Sequence, residues 1–250
     1  METDTSIVVR YWIATDHPSD YPDLEGIGEF RRELANDYVS VVRGRPSGAG
    51  GAVHILVDIV SNLRLSDLAQ IIAGGAAYDL VKEGARSFIL RPFIRAYAAL
   101  KERNRDRKLD LRELRIEFQD CLLVIHEVSM DTNVDSLSMI LPALAKHYDR
   151  LALATGQRPS EIHVPVVEDP DTERPCRFRV IAHVDETIND KGSKDYLAYW
   201  GVVYDRPPAL KVYGVDQASL LHERFNTVED YWQDLSRRIN EKMKARNNDK

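Results

Sequence analysis

Cysteine is nearly absent: Cys121 and Cys176 are the only two in 250 residues. Two thiols in a chain this long do not make a disulfide framework, so both are read as free and a cytoplasmic location is expected. The N-terminal METDTSIVVRYW has no basic start and no apolar core, so no secretory signal is expected there. Uncharged hydrophobic runs are also missing. Crossing a membrane as a helix takes about 18 apolar residues or more. The nearest approach, residues 48–100, is broken by Asp58, Arg64, Asp67, Asp79, Lys82 and Glu83, charges that are costly in lipid. No CxxC, HExxH or calcium-loop spacing occurs, so no metal site is expected. The phosphate-cradling glycine signatures and the GxSxG nucleophile elbow are missing too, and no cofactor is expected. Strong positive charge is lacking: 34 Lys and Arg against 40 Asp and Glu give a formal net charge of -6. That balance disfavours a general nucleic-acid coat, whose affinity rests on neutralising many phosphates.

The composition that remains, 44% hydrophobic and 30% charged, is that of a folded chain rather than a disordered one. Residues 7–13, IVVRYWI, concentrate β-branched and aromatic side chains and predict a strand. Ile27, Phe30 and Leu34 fall on one face of a predicted helix over 25–35. A second strand is predicted at 38–42, then a glycine-rich loop, GRPSGAGG (44–51). A glycine loop before a helix can hold an anion on its backbone N–H groups, but no lysine follows to reach a phosphate, so a flexible connection is the preferred reading. Residues 52–73 are read as helix, or as two helices broken near Ser61–Asn62 with the second beginning at Leu65, and 76–103 as helix, with Pro92 bending it or starting a new helix. Alternation over 112–128 predicts a hairpin turning at Gln119–Asp120, and 133–154 a helix stopped by Gly156. The remainder is read as strands at 161–167, 176–184, 196–204 and 209–215, with a last helix capped by Asn226 and striped by Val228, Trp232, Leu235 and Ile239. The expected fold class is therefore α+β, with a mostly antiparallel C-terminal sheet and a long helical block in the N-terminal half. The expected division is 1–108, strands and helical block, and 109–250, a mixed α+β region, or one continuous domain through both.

Chemistry-bearing residues form two groups. His126, His163 and His183 lie on predicted strands, and a sheet could gather them with Asp185 for proton transfer. Whether they meet depends on strand order, since one register slip turns each side chain to the other face. Arg86, Arg91, Arg95, Lys101, Arg103, Arg105, Arg107 and Lys108 form the one marked basic run, a candidate for contact with an anionic surface. Cations also belong at a helix C-terminus, which is the plainer reading. His54 and Asp58, four apart, would share a helix face, but no third ligand lies near. The leading functional expectation is a nonenzymatic interaction or assembly protein that contacts a partner subunit through 48–103, with an effector contacting an anionic surface through 48–108 as a subtype. Self-association or another protein is the expected partner, with nucleic acid or a membrane surface second. The alternative is a small hydrolase or nucleotide-processing enzyme with a site on the C-terminal sheet.

Overall fold

The structure is a computed structural model. It describes residues 5–14, 23–47, 52–73, 89–128, 135–156, 158–165, 179–183, 197–198, 201–202, 210–214, 218–225 and individual positions between 230 and 245. The chain divides into two compact units, 1–148 and 149–250, and each is taken by itself.

The first unit is built from β1 (Ser6–Ala14), α1 (Ile27–Ala35), β2 (Val39–Ser47), β3 (Ala52–Val60), α2 (Leu65–Ala73), α3 (Arg91–Arg103), β4 (Lys108–Glu117) and β5 (Leu122–Val128). Its strands lie in the order β2-β1-β3-β4-β5. β1 runs parallel to β2 and antiparallel to β3, β3 runs parallel to β4, and β4 antiparallel to β5. The sheet is thus mixed, because two of its links are crossovers through helices: β1–α1–β2 and β3–α2–α3–β4. Crossovers are right-handed as a rule. The two are related by reversing both strand direction and the side to which the chain moves, so the rule puts their helices on one side of the sheet. α1 and α3 do pack together. The apolar side of the sheet is formed by Ile7, Val9, Tyr11 and Ile13, then Val53, Ile55, Val57 and Ile59, then Leu109, Leu111, Leu114 and Ile116, all buried. The helices bury Ile27, Phe30 and Leu34 of α1, with Phe93, Tyr97 and Leu100 of α3. Each such aliphatic or aromatic side chain contributes roughly 1.5–3 kcal/mol when fully buried.

The long N-terminal helical block does not exist as expected. Residues 52–60 are a strand in the middle of the sheet, and helices are spread along the chain at 27–35, 65–73, 91–103 and 135–155. The expectation that the sheet is C-terminal and mostly antiparallel is corrected at the same time: the N-terminal half contributes sheet too, and its β1–β2 and β3–β4 pairs are parallel, which makes the sheet mixed. The physical reason is visible in AVHILVDIV: β-branched residues recur at every second position, and a run this apolar reads alike as buried strand or buried helix. Residues 74–88 of the proposed block lie outside the described residues.

Local chemistry fixes several boundaries. α2 begins where Asp120, from the β4–β5 turn, accepts from the backbone N–H groups of Leu65 (2.7 Å) and Ser66 (3.1 Å) and from the Ser66 hydroxyl (2.6 Å). A carboxylate at this end satisfies orphan donors and favours the helix dipole. α3 begins with Pro92 in its first turn, where its missing N–H costs nothing. The hairpin turn closes with Phe118 N–H donating to the Cys121 carbonyl.

Helix α4 (Asp135–Thr155) contains the division between the units and ends at Gly156, whose φ of 86° is the left-handed conformation of a helix stop. The second unit holds β6 (Glu161–Pro165), β7 (Arg179–His183), β10 (Leu210–Gly214) and β11 (Ser219–Phe225), joined antiparallel in the order β6-β7-β10-β11. A separate two-residue pair joins β8 (Leu197–Ala198) to β9 (Gly201–Val202). The described positions between 230 and 245 are helical. The expected cap and apolar stripe of that helix, Asn226, Val228, Trp232, Leu235 and Ile239, lie outside the described residues.

Candidate functional site: the polar face and outer edge of the first sheet

Residues directly opposite in a ladder share a face. The register of the first unit therefore assembles a second, polar face in four rows. One row runs Arg45, Trp12, His54, Asp110 and the next Arg43, Arg10, Leu56, Glu113, His126. The third is Val41, Val8, Asp58, Arg115, Val124, and the fourth Val39, Ser6, Val60, Glu117, Leu122.

Charges on this face are mostly matched. Asp58 accepts from Arg10 and lies 3.5 Å from Arg115 Nη1. Arg112 is the extra residue of a bulge between β3 and β4, which turns it toward the polar side. Its Nε donates to His54 Nδ1 (3.1 Å) and lies 3.0 Å from Asp110 Oδ2. His54 is thereby held neutral: burial lowers its pKa first, and the guanidinium of Arg112 and the Lys108 ammonium add to this against Asp110. With Nδ1 accepting a hydrogen bond, the ring proton sits on Nε2. The 3.7 Å approach of His54 to Asp110 is accordingly two acceptors converging on one arginine, not an ion pair. His126 Nδ1 lies 3.8 Å from Glu113 Oε2, both buried.

The outer strand β2 is different. β1 is its one ladder partner among the described residues. Val39 and Val41 are 68% and 40% exposed, and residues 43–46 are exposed as well. The Val39 N–H donates to Thr5 O on the β1 side. In a parallel ladder a residue's N–H and C=O point the same way, and the direction alternates along the strand. Hence Val39, Val41, Arg43 and Arg45 face β1, whereas Ser40, Val42, Gly44 and Pro46 turn their backbone groups outward. Pro46, which has no N–H, sits where no internal ladder bond is lost. Three outward N–H groups remain, those of Ser40, Val42 and Gly44. The Arg45 guanidinium lies 4.9 Å from the centre of the Trp12 ring, a cation–π contact. Neither Arg43 nor Arg45 forms an ion pair among the described residues.

The residues singled out from the sequence are distributed as follows. His126 is on β5, in the first unit, beside Glu113. His163 is on β6, in the second, with Nε2 2.9 Å from Glu161 Oε1; both are buried. Position 183 stands directly opposite Glu161 across the β6–β7 ladder, and Asp185 lies outside the described residues. Of the basic run, Arg95 pairs with Glu33 (2.6 Å) and Asp37 (3.6 Å), Arg103 with Glu29 (3.3 Å) and Arg105 with Glu102. Lys101 and Arg103 occupy the last turn of α3, where cations favour the helix dipole. Arg91 and Lys108 are exposed, Arg107 is half-buried, and Arg86 lies outside the described residues. The β2 residues Val39, Val41, Arg43 and Arg45 were missed as a site. Their signal was the alternation of Val39 and Val41 carried on by Arg43 and Arg45 up to Pro46, a residue that sheets confine to edges.

Among the described residues no group of three or more His, Cys, Asp and Glu side chains is placed to hold a metal ion. No helix among them is long and apolar enough to cross a membrane. No family model matches the chain, and no curated protein or solved structure is significantly similar to it.

Proposed function

We propose that this chain is a nonenzymatic interaction protein that takes up an extended segment of a partner as an added strand on β2. One observation carries the reading: β2 combines outward backbone donors at Ser40, Val42 and Gly44 with exposed Val39 and Val41. Strand addition uses these two components, main-chain hydrogen bonds for affinity and alternate side chains for selection. An exposed edge is otherwise a liability that proteins block with charge or proline. Here Pro46 blocks one end and leaves the Val39–Gly44 stretch accessible.

Assembly through 48–103 has less to recommend it than the sequence suggested. Val53, Ile55, Val57, Ile59, Phe93, Tyr97 and Leu100 are buried within the chain itself. The enzymatic alternative on the C-terminal sheet would use His163 and Glu161. A general base must come within about 3 Å of the proton it takes, and His163 is fully buried.

Panning a random peptide library on the whole chain tests the proposal. Selected peptides should slow hydrogen exchange at the Ser40, Val42 and Gly44 amides. Val42→Pro, which removes the central outward donor, should abolish their binding while leaving the circular dichroism spectrum unchanged. Binders that protect other amides, or that bind the Val42→Pro chain equally well, would refute it.

A further inference from the structure

We infer that the segment accepted by β2 belongs to another protein and carries acidic side chains opposite Arg43 and Arg45 and apolar ones opposite Val39 and Val41. This rests on the strand-addition reading above and adds the chemistry of the partner. An added strand places alternate side chains beside Val39, Val41, Arg43 and Arg45, which share one face of β2. The first two offer exposed apolar surface and the last two exposed guanidiniums with no ion pair among the described residues. Arg10 stands directly across the ladder from Arg43, and its carboxylate partner Asp58 is shared with Arg115. On the three strands nearest the edge, β2, β1 and β3, positive charge exceeds negative on this face: Arg10, Arg43 and Arg45 face one Asp58. Stacking on Trp12 holds the Arg45 side chain in place, which lowers the entropy lost when it pairs.

A second copy of this chain fits less well. Antiparallel pairing of two β2 strands about Val42 would set the Arg43 of each copy diagonally across the new ladder, roughly 7–8 Å apart. Like charges there oppose association. A nucleic acid could use the arginines but neither the outward N–H ladder nor the exposed valines. The net charge of -6 would also repel it.

The test uses the full chain and nine-residue synthetic peptides in which serine alternates with two glutamates followed by two valines, made in both sequence directions. Control peptides replace the glutamates with glutamine or lysine. In about 0.05 M salt one of the glutamate peptides should bind roughly tenfold more tightly than its glutamine control, since two exposed ion pairs form. The lysine peptide should bind weakest, and the advantage should shrink severalfold in about 0.5 M salt, where screening is short-ranged. Arg43→Glu with Arg45→Glu should reverse the preference toward lysine. Should that chain fail to fold, Arg43→Gln with Arg45→Gln should equalise glutamate and glutamine peptides. If glutamate and glutamine peptides protect the Ser40, Val42 and Gly44 amides with equal affinity, the acidic preference is wrong and the edge site stands. If no peptide of any charge protects those amides, both readings fail. Binding of a single-stranded oligonucleotide that needs Arg43 and Arg45, with no peptide bound, would overturn the inference in favour of nucleic acid.

Discussion

Tyr38 shows how much one hydroxyl can hold. Its oxygen donates to the Ile89 carbonyl (2.6 Å) and accepts from the Phe93 N–H (3.3 Å), so it closes the start of α3 from the far side of α1. Burial raises its pKa well above the ordinary phenol value, and the group stays neutral. Tyr38→Phe keeps the ring but leaves a buried carbonyl and a buried N–H unsatisfied. The expected loss is about 1–3 kcal/mol, read as a lower urea midpoint. His54 makes a pH prediction. Its folded pKa lies below the ordinary imidazole value of 6.5, first through burial and then through Arg112. Above that value both folded and unfolded chains carry a neutral imidazole and nothing is gained or lost. As pH falls below it, the unfolded chain takes up a proton that the folded ring refuses, so stability declines until pH passes the folded value. His54→Gln should remove this part of the acid slope. Urea midpoints at about pH 7.5 and pH 5.5 compare the two chains, and equal slopes would show that His54 does not cause it.

At the scale of elements, β2 depends on a missing side chain. A Cβ on Gly44 would stand only 2.2 Å from the Tyr11 ring carbon Cζ, and the Tyr11 hydroxyl is fixed by Asp23 at 2.7 Å. The ring therefore lies over Gly44 and cannot retreat without breaking that bond. Gly44→Ala should cost about 1–3 kcal/mol by overpacking. In a Tyr11→Leu background the same substitution should cost clearly less, and a double-mutant cycle in urea measures the difference. Elements with a strong local signal were legible in advance. Ile7, Val9, Tyr11 and Ile13 alternate into a strand, Ile27, Phe30 and Leu34 bury one helix stripe, and Leu114, Ile116 and Phe118 point inward as their spacing predicts. Residues 52–60 were misread because Ala52–Val60 is apolar at nearly every position, and periodicity cannot separate strand from helix there. Residues 219–225, β11, carried too little β-branched or alternating pattern to mark a strand.

For the whole molecule, the helix that holds the division between the units decides where the chain can be shortened. Tyr148 ends the first unit, yet α4 continues to Thr155, with Leu151 buried and the Gly156 N–H bonded to the Ala152 carbonyl. A chain ended after Gly156 retains the complete helix and its stop. It should melt at a higher temperature than one ended after Tyr148, which loses nearly two turns, as followed by circular dichroism. The basic run and the histidines were legible as residues but not as a site. The run's ion-pair partners, Glu29 and Glu33 of α1 and Asp37 just beyond it, are distant along the chain, and His126 and His163 belong to different units. Local patterning by itself determined the α+β composition and most element types, because periodicity and turn chemistry act over a few residues. Which strand lies outermost, and therefore that Val39 and Val41 face solvent while Val53 and Ile55 do not, was decided only by tertiary pairing. All four sit in apolar, β-branched runs, and apart from Pro46 at the end of β2 nothing local separates the edge strand from the middle one.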